Sequence, residues 1–110
     1  LIEKEEKMMK ITTMAKNQTI CTMNNDMEFL QSYKSVVVAR IRGKVYLDKN
    51  TYDYSKTTSK YRNRYLNVNN AEFKENLQNG KYTIVDNLEK LVENEYSIIL
   101  DTVTIIGGNI

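Results

Sequence analysis

The sequence predicts a single α+β domain, an antiparallel β-sheet with two or three short helices packed on one face. Three observations carry that expectation. Residues 18–48 read as short apolar runs and alternating stretches, the period of two that a pleated strand imposes. Residues 55–80 switch to hydroxyl and amide caps followed by apolar side chains four apart, the helical period. A chain of 110 residues has the size of one domain, able to bury roughly 60–70% of the surface its unfolded form exposes.

Taken in order, QTICTM and MEFLQSY flank NND and read as a hairpin, because Asn and Asp tolerate the backbone of a tight turn. SVVVARI follows as a strand, with Val36, Val38 and Arg40 expected on one face and Val37, Ala39 and Ile41 on the other. The triple valine suits a strand covered on both sides at its start. Arg42 and Gly43 break the run. KVYLD then returns antiparallel, with Val45 and Leu47 opposite Lys44, Tyr46 and Asp48. Gly43 tolerates positive φ at that turn, which explains it without a ligand.

Ser55, Thr57 and Thr58 can each accept from freed backbone N–H groups, so one of them should cap a helix running to about Asn67. A second helix is expected from Asn69 or Asn70, with Glu72 near its positive end, Phe73 and Leu77 as a buried stripe, and Asn79 and Gly80 as its stop. KYTIVD reads as a strand. DNLE at residues 86–89 resembles a capping box ahead of Leu88, Leu91 and Val92, and YSIILDTVTII reads as a last strand whose Asp101 implies a wet face or an edge position.

Residues 1–16 are expected to be an N-terminal extension and 17–110 the domain. LIEKEEKMM can be encoded as a purine-rich run carrying a ribosome-binding sequence, which would make residues 1–7 a translated leader and Met8 or Met9 the start; the alternative is a frayed, charged helical turn. The abundance of Asn, Lys, Ile and Tyr, with no Pro or Trp, points to an AT-rich bacterial or phage genome.

Composition removes whole classes of chemistry. Histidine is absent, so Ser-His-Asp and Cys-His nucleophile pairs are excluded along with the commonest general base and metal ligand. Cys21 is the one cysteine, which excludes an internal disulfide and a thiolate zinc cluster; it reads as a small buried hydrophobe. Glu3, Glu5 and Glu6, like Glu89, Glu93 and Glu95, lack the interleaved ligands of a metal loop, and the GGN at 107–109 has no following helix to make a phosphate loop. The expectation is a binding protein, not an enzyme, with no cofactor. No apolar run reaches the ~18–20 residues of a membrane span, and the acidic start is unlike a signal peptide, so a cytoplasmic location in a bacterial host cell is expected and no membrane partner.

The charge is divided unevenly. Residues 31–65 hold nine Lys and Arg against Asp48 and Asp53, a balance of +7, while the whole chain is only +2. Six of the eight tyrosines fall in the same segment. Phenol rings beside cations suit the stacking of bases and neutralisation of phosphate, and suit protein interfaces as well. On the first helix Lys56, Lys60 and Arg64 share one ridge, Tyr61 and Tyr65 share the next and should pack on the sheet, and Arg62 falls on the far side. Tyr52 and Tyr54 precede the helix and are the better candidates for exposed contact. The candidate site is therefore Arg40, Arg42, Lys44, Tyr52, Tyr54, Lys56, Lys60 and Arg64.

The string SYKSVVVARIRGKVYLDKNTYDYSKTTSKYRNRYL resembles a family of short uncharacterised proteins encoded by bacteriophages and other mobile elements of low-GC bacteria. The resemblance covers residues 32–86. It rests on Ser32 and Tyr33 before a hairpin, then Tyr52, Asp53, Tyr54 and Ser55, then Thr57, Thr58 and Lys60 leading into a helix. Relatives carry Trp at the position of Tyr52 and His at that of Tyr61, so no imidazole-dependent role is carried over. The resemblance implies a phage or mobile-element origin and a shared fold. The expected partner is nucleic acid or a host nucleoprotein. The alternative is an inhibitor of a host defence system of the anti-CRISPR type, blocking a CRISPR effector, and a homodimer could form through the β-rich C-terminus.

Overall fold

The computed structural model describes residues 10–23 and 26–95, which form a six-stranded sheet and three helices, an α+β domain. The strands are β1 (Lys10–Ala15), β2 (Gln18–Met23), β3 (Met27–Ser32), β4 (Ser35–Ile41), β5 (Lys44–Asp48) and β6 (Tyr82–Val85). Their order in the sheet is their order in the chain. The first five form an antiparallel meander, and β6 lies parallel to β5, reached through α1 (Lys56–Leu66) and α2 (Asn70–Gln78). A parallel neighbour requires such a crossover, since a tight turn can only return the chain antiparallel. The third helix, α3, covers residues 88–95. The leader-like residues 1–7 and the expected last strand lie outside the described residues.

Of the four antiparallel pairings, β2 with β3 and β4 with β5 form where the turn chemistry indicated. Arg42 and Gly43 have φ of 50° and 82° and join Ile41 to its partner Lys44, so both turn residues take the left-handed backbone that matches the sheet's twist. The strand β1 belongs to the sheet although the sequence placed residues 1–16 in an extension. Its first four residues are exposed, so KITTMA offers no apolar alternation to read.

Helix ends also follow local chemistry. The Ser55 hydroxyl accepts from Thr58 N at 3.1 Å to start α1, and Asn67 ends it in the left-handed conformation, its N–H donating to Arg64 and Asn63 carbonyls. Asn69 and Glu72 form a reciprocal capping box at α2, with Glu72 N donating to Asn69 Oδ1 at 2.8 Å and Asn69 N donating to Glu72 Oε1 at 3.1 Å. Asn69→Ala is expected to lower stability by about 1 kcal/mol, read as a lower urea midpoint at unchanged slope. At α3 the cap is Asn87, whose Oδ1 accepts from Lys90 N at 3.0 Å. The capping-box reading of DNLE is thus corrected by one residue: Asp86 instead faces Lys49 at 3.9 Å.

The core has two parts, one on each side of the sheet. Leu30, Val37, Val38 and Leu47 pack with Tyr65, Leu66 and Phe73 of α1 and α2. Met23, Met27, Val36, Ala39 and Ile41 pack with Leu88 and Val92 of α3. Two helices therefore share one face as expected, and the third covers the other; β4 presents apolar side chains to both faces, so both must be covered. The expected faces of β4 need a correction. Leu30 pairs with Val38 and Gln31 with Val36, so Val37 is an extra residue in a β-bulge. The bulge puts Val37 and Val38 in one cluster and Val36 with Ala39 and Ile41 in the other.

Asp48, buried at the end of β5, ties the two sides together. Its carboxylate accepts from Asn50 N at 3.1 Å, from Thr51 Oγ1 at 3.0 Å and from Leu88 N at 2.9 Å. It so holds the loop before α1 and the first turn of α3 at once.

Candidate functional site

The loop from Lys49 to Ser55 and the two helices that follow enclose a groove of about 1060 Å³. Its shape depends on Arg62, which is 2% exposed. The guanidinium carbon sits 3.6 Å from the centroid of Phe73 on α2, while Nη1 donates to Tyr52 O at 2.7 Å and to Asp53 Oδ1 at 3.3 Å. Nη2 and Nε donate to Asn63 Oδ1 at 2.9 and 3.1 Å. Arg62 therefore binds α1, α2 and the loop into one unit, with Tyr52 stacked on the same Phe73 ring at 6.0 Å. Burial pushes its pKa down and Asp53 pushes it back, yet a guanidinium stays charged throughout.

Four further cations line this groove: Lys56, Lys60 and Arg64 along one ridge of α1, and Lys74 from α2. All four are exposed, and among the described residues none pairs with a carboxylate. Lys60 and Arg64 flank the Tyr61 ring at 5.4 and 5.1 Å. The one carboxylate at the groove, Asp53, is engaged by Arg62 and by the Ser59 hydroxyl at 2.8 Å. Asn63, Asn69 and Asn70 complete the lining, with Asn63 Nδ2 donating to Asn70 Oδ1 at 2.7 Å. A row of unneutralised cations beside amides can hold an extended polyanion.

The eight residues singled out in the sequence do not form one patch. Tyr52, Lys56, Lys60 and Arg64 meet in the groove. Tyr54, 77% exposed, lies on the other side of the loop beside Tyr33 and Lys34. Arg42 and Lys44 sit at the β4–β5 turn next to α3, where Arg42 pairs with Glu95 at 3.0 Å and its pKa is raised by that contact. Arg40 faces α1 but is occupied, pairing with Glu28 at 3.3 Å, donating to Tyr65 O at 3.4 Å and lying 4.9 Å from the Tyr65 ring centroid. The turn at Arg42 carries the chain away from α1, so cations contiguous in sequence separate in space.

Tyr61 and Tyr65 pack on the sheet as expected, and burial, with Glu28 beside it, raises the pKa of the Tyr65 hydroxyl. Cys21 is buried, and burial raises the pKa of its thiol as well. Arg62 and Lys74 were missed. An arginine amid exposed cations gives no sign of burial, and Lys74 gains its role only from where α2 docks. Phe73, expected to be buried, was the one available pointer to a partner for Arg62. Among the described residues no three Cys, Asp or Glu side chains gather as a metal ion would require, and no helix is long and apolar enough to cross a membrane.

No curated protein and no solved structure matches the chain. Residues 9–81, which span β1 to β5 and both groove helices, match the family of unknown function DUF8033, and the chain belongs to that family.

Proposed function

We propose that the domain is a non-catalytic nucleic-acid-binding module whose α1–α2 groove takes the sugar-phosphate backbone. On the resemblance over residues 32–86, it serves a phage or mobile element. One observation carries the reading: Lys56, Lys60, Arg64 and Lys74 line a single groove without a carboxylate partner among the described residues. Leaving like charges together unpaired is costly to the folded state, and phosphate relieves that repulsion.

Binding to labelled oligonucleotides across a salt series tests it. Four phosphate contacts give log affinity a slope against log salt of about −3 for a single strand, or about a fiftyfold loss between 50 and 200 mM. Lys60→Gln is expected to make that slope shallower by about 0.7 and to weaken binding several-fold for every sequence alike. Flat salt dependence, with nuclease-resistant capture of one host protein, would instead mean that the groove meets an acidic protein surface, as a host-defence inhibitor would.

A further inference from the structure

A second cavity, of about 710 Å³, opens on the other side of the loop before α1. Tyr33 and Tyr54 line it, and both rings are exposed, 55% and 77%. Lys34, Ser32, Thr58 and Val37 also line it, the Ser32 and Thr58 hydroxyls lie 3.2 Å apart, and none of its lining residues bears a carboxylate. The volume falls within the usual range of small-ligand pockets.

Two features mark this cavity as more than a surface dent. Tyr33 holds φ at 57° in the β3–β4 turn, a left-handed backbone that glycine or asparagine adopts far more readily than a bulky aromatic residue. The turn keeps a ring there at the expense of local strain, and it leaves that ring in the open. In addition, Gln18 is 0% exposed, and neither its amide nitrogen nor its oxygen meets a hydrogen-bond partner among the described residues. Gln18 pairs directly with Ser32 across β2 and β3, so both side chains project on the same face. Ser32 lines the cavity, so its cross-strand partner Gln18, which does not line it, sets a buried donor and acceptor with unused capacity behind that wall.

We propose that this cavity receives one unstacked base of a single-stranded nucleic acid, stacked against Tyr33 and Tyr54 with Lys34 at the adjoining phosphate. The assignment rests on the groove reading for the rest of the strand. Tyr52, Asp53 and Ser55 line the groove while Thr51 and Tyr54 line the cavity, so the two openings flank one short loop that a strand can cross. A flat ring between phenols, with polar groups below it, is the chemistry by which single strands are held. Bases inside a duplex are already stacked and cannot enter.

Fluorescence anisotropy with a labelled single strand and a duplex of equal length tests this. The protein is expected to prefer the single strand. Tyr54→Leu and Tyr33→Leu should each lose about tenfold in single-strand affinity, the worth of one stacked base, with duplex affinity and salt slope unchanged. Tyr54→Phe and Tyr33→Phe should retain the preference. If both leucine variants bind the single strand as the native chain does, the cavity takes no base while the groove reading stands. If neutralising Lys56, Lys60 and Arg64 to Gln leaves affinity intact but the leucine variants lose it, the groove reading fails and the base pocket stands. Binding of neither nucleic acid by the native chain overturns both.

Discussion

Arg62→Ala is expected to lower the stability of the domain by about 3–4 kcal/mol, a large fraction of the roughly 5–15 kcal/mol that such a domain possesses. Three losses combine. The guanidinium stacked 3.6 Å from the Phe73 ring centroid disappears, a desolvated cation–π contact worth about 2 kcal/mol. The Tyr52 carbonyl loses its 2.7 Å donor, and a part-buried acceptor left without a partner costs about 1 kcal/mol. The side chain also leaves a void between α1 and α2 that the backbone can only partly close. Asp53 adds little to the loss, since it is exposed and water replaces its partner. Thermal unfolding should shift down by roughly 15–25 °C. Arg62→Lys should recover less than half, because a point charge on a flexible stem can neither stack flat on Phe73 nor reach Tyr52 and Asn63 together. A variant that unfolds at the native temperature would show that the helices hold the groove without this residue.

Asp48→Ala should be comparably severe, about 3–5 kcal/mol, and its damage should reach both sides of the sheet. The carboxylate accepts from Asn50 N, Thr51 Oγ1 and Leu88 N, and hydrogen bonds to a charged group are worth about 1.5–3 kcal/mol each before the protein relaxes. The contact to Leu88 is the least replaceable, because that N–H is buried and belongs to the unsatisfied first turn of α3. Hydrogen exchange should therefore accelerate at Leu88 and along residues 88–95, together with the loop from Asn50 to Tyr54. Asp48→Asn keeps one acceptor oxygen and should lose about half as much, protecting either the helix or the loop but not both. Equal protection of both segments in Asp48→Asn would mean that the shared carboxylate is not what couples them.

These two residues mark the boundary between local and tertiary information. Turns and caps lie within a few residues of what they bond, so their chemistry is complete in the sequence. Arg42 and Gly43 as a hairpin turn, a cap among Ser55, Thr57 and Thr58, a second helix starting at Asn69 or Asn70 with Glu72 near its positive end, and Asn79 with Gly80 as its stop could all be read there. The ridge of Lys56, Lys60 and Arg64 was legible for the same reason, since helical spacing alone brings the three together. The alternation of β5 was legible too, because nothing interrupts its pleat. In β4 the bulge at Val37 reversed the assignment of two residues, Val36 and Val37: a bulge depends on how two strands register, and SVVVARI looks the same with or without it.

By itself, then, the sequence determined the α+β class, the order of elements from β2 to α3, most of their ends and a cationic ridge on the first helix, because each depends on backbone geometry over one or two turns. Only the tertiary structure decided that α3 takes the opposite face from α1 and α2, that Arg62 is a buried strut instead of a surface charge, and that Arg40 and Arg42 are engaged by Glu28 and Glu95 away from the groove. Those outcomes depend on which distant groups share a low-dielectric space, and charge or burial is settled by the partner found there, not by the residue's own type.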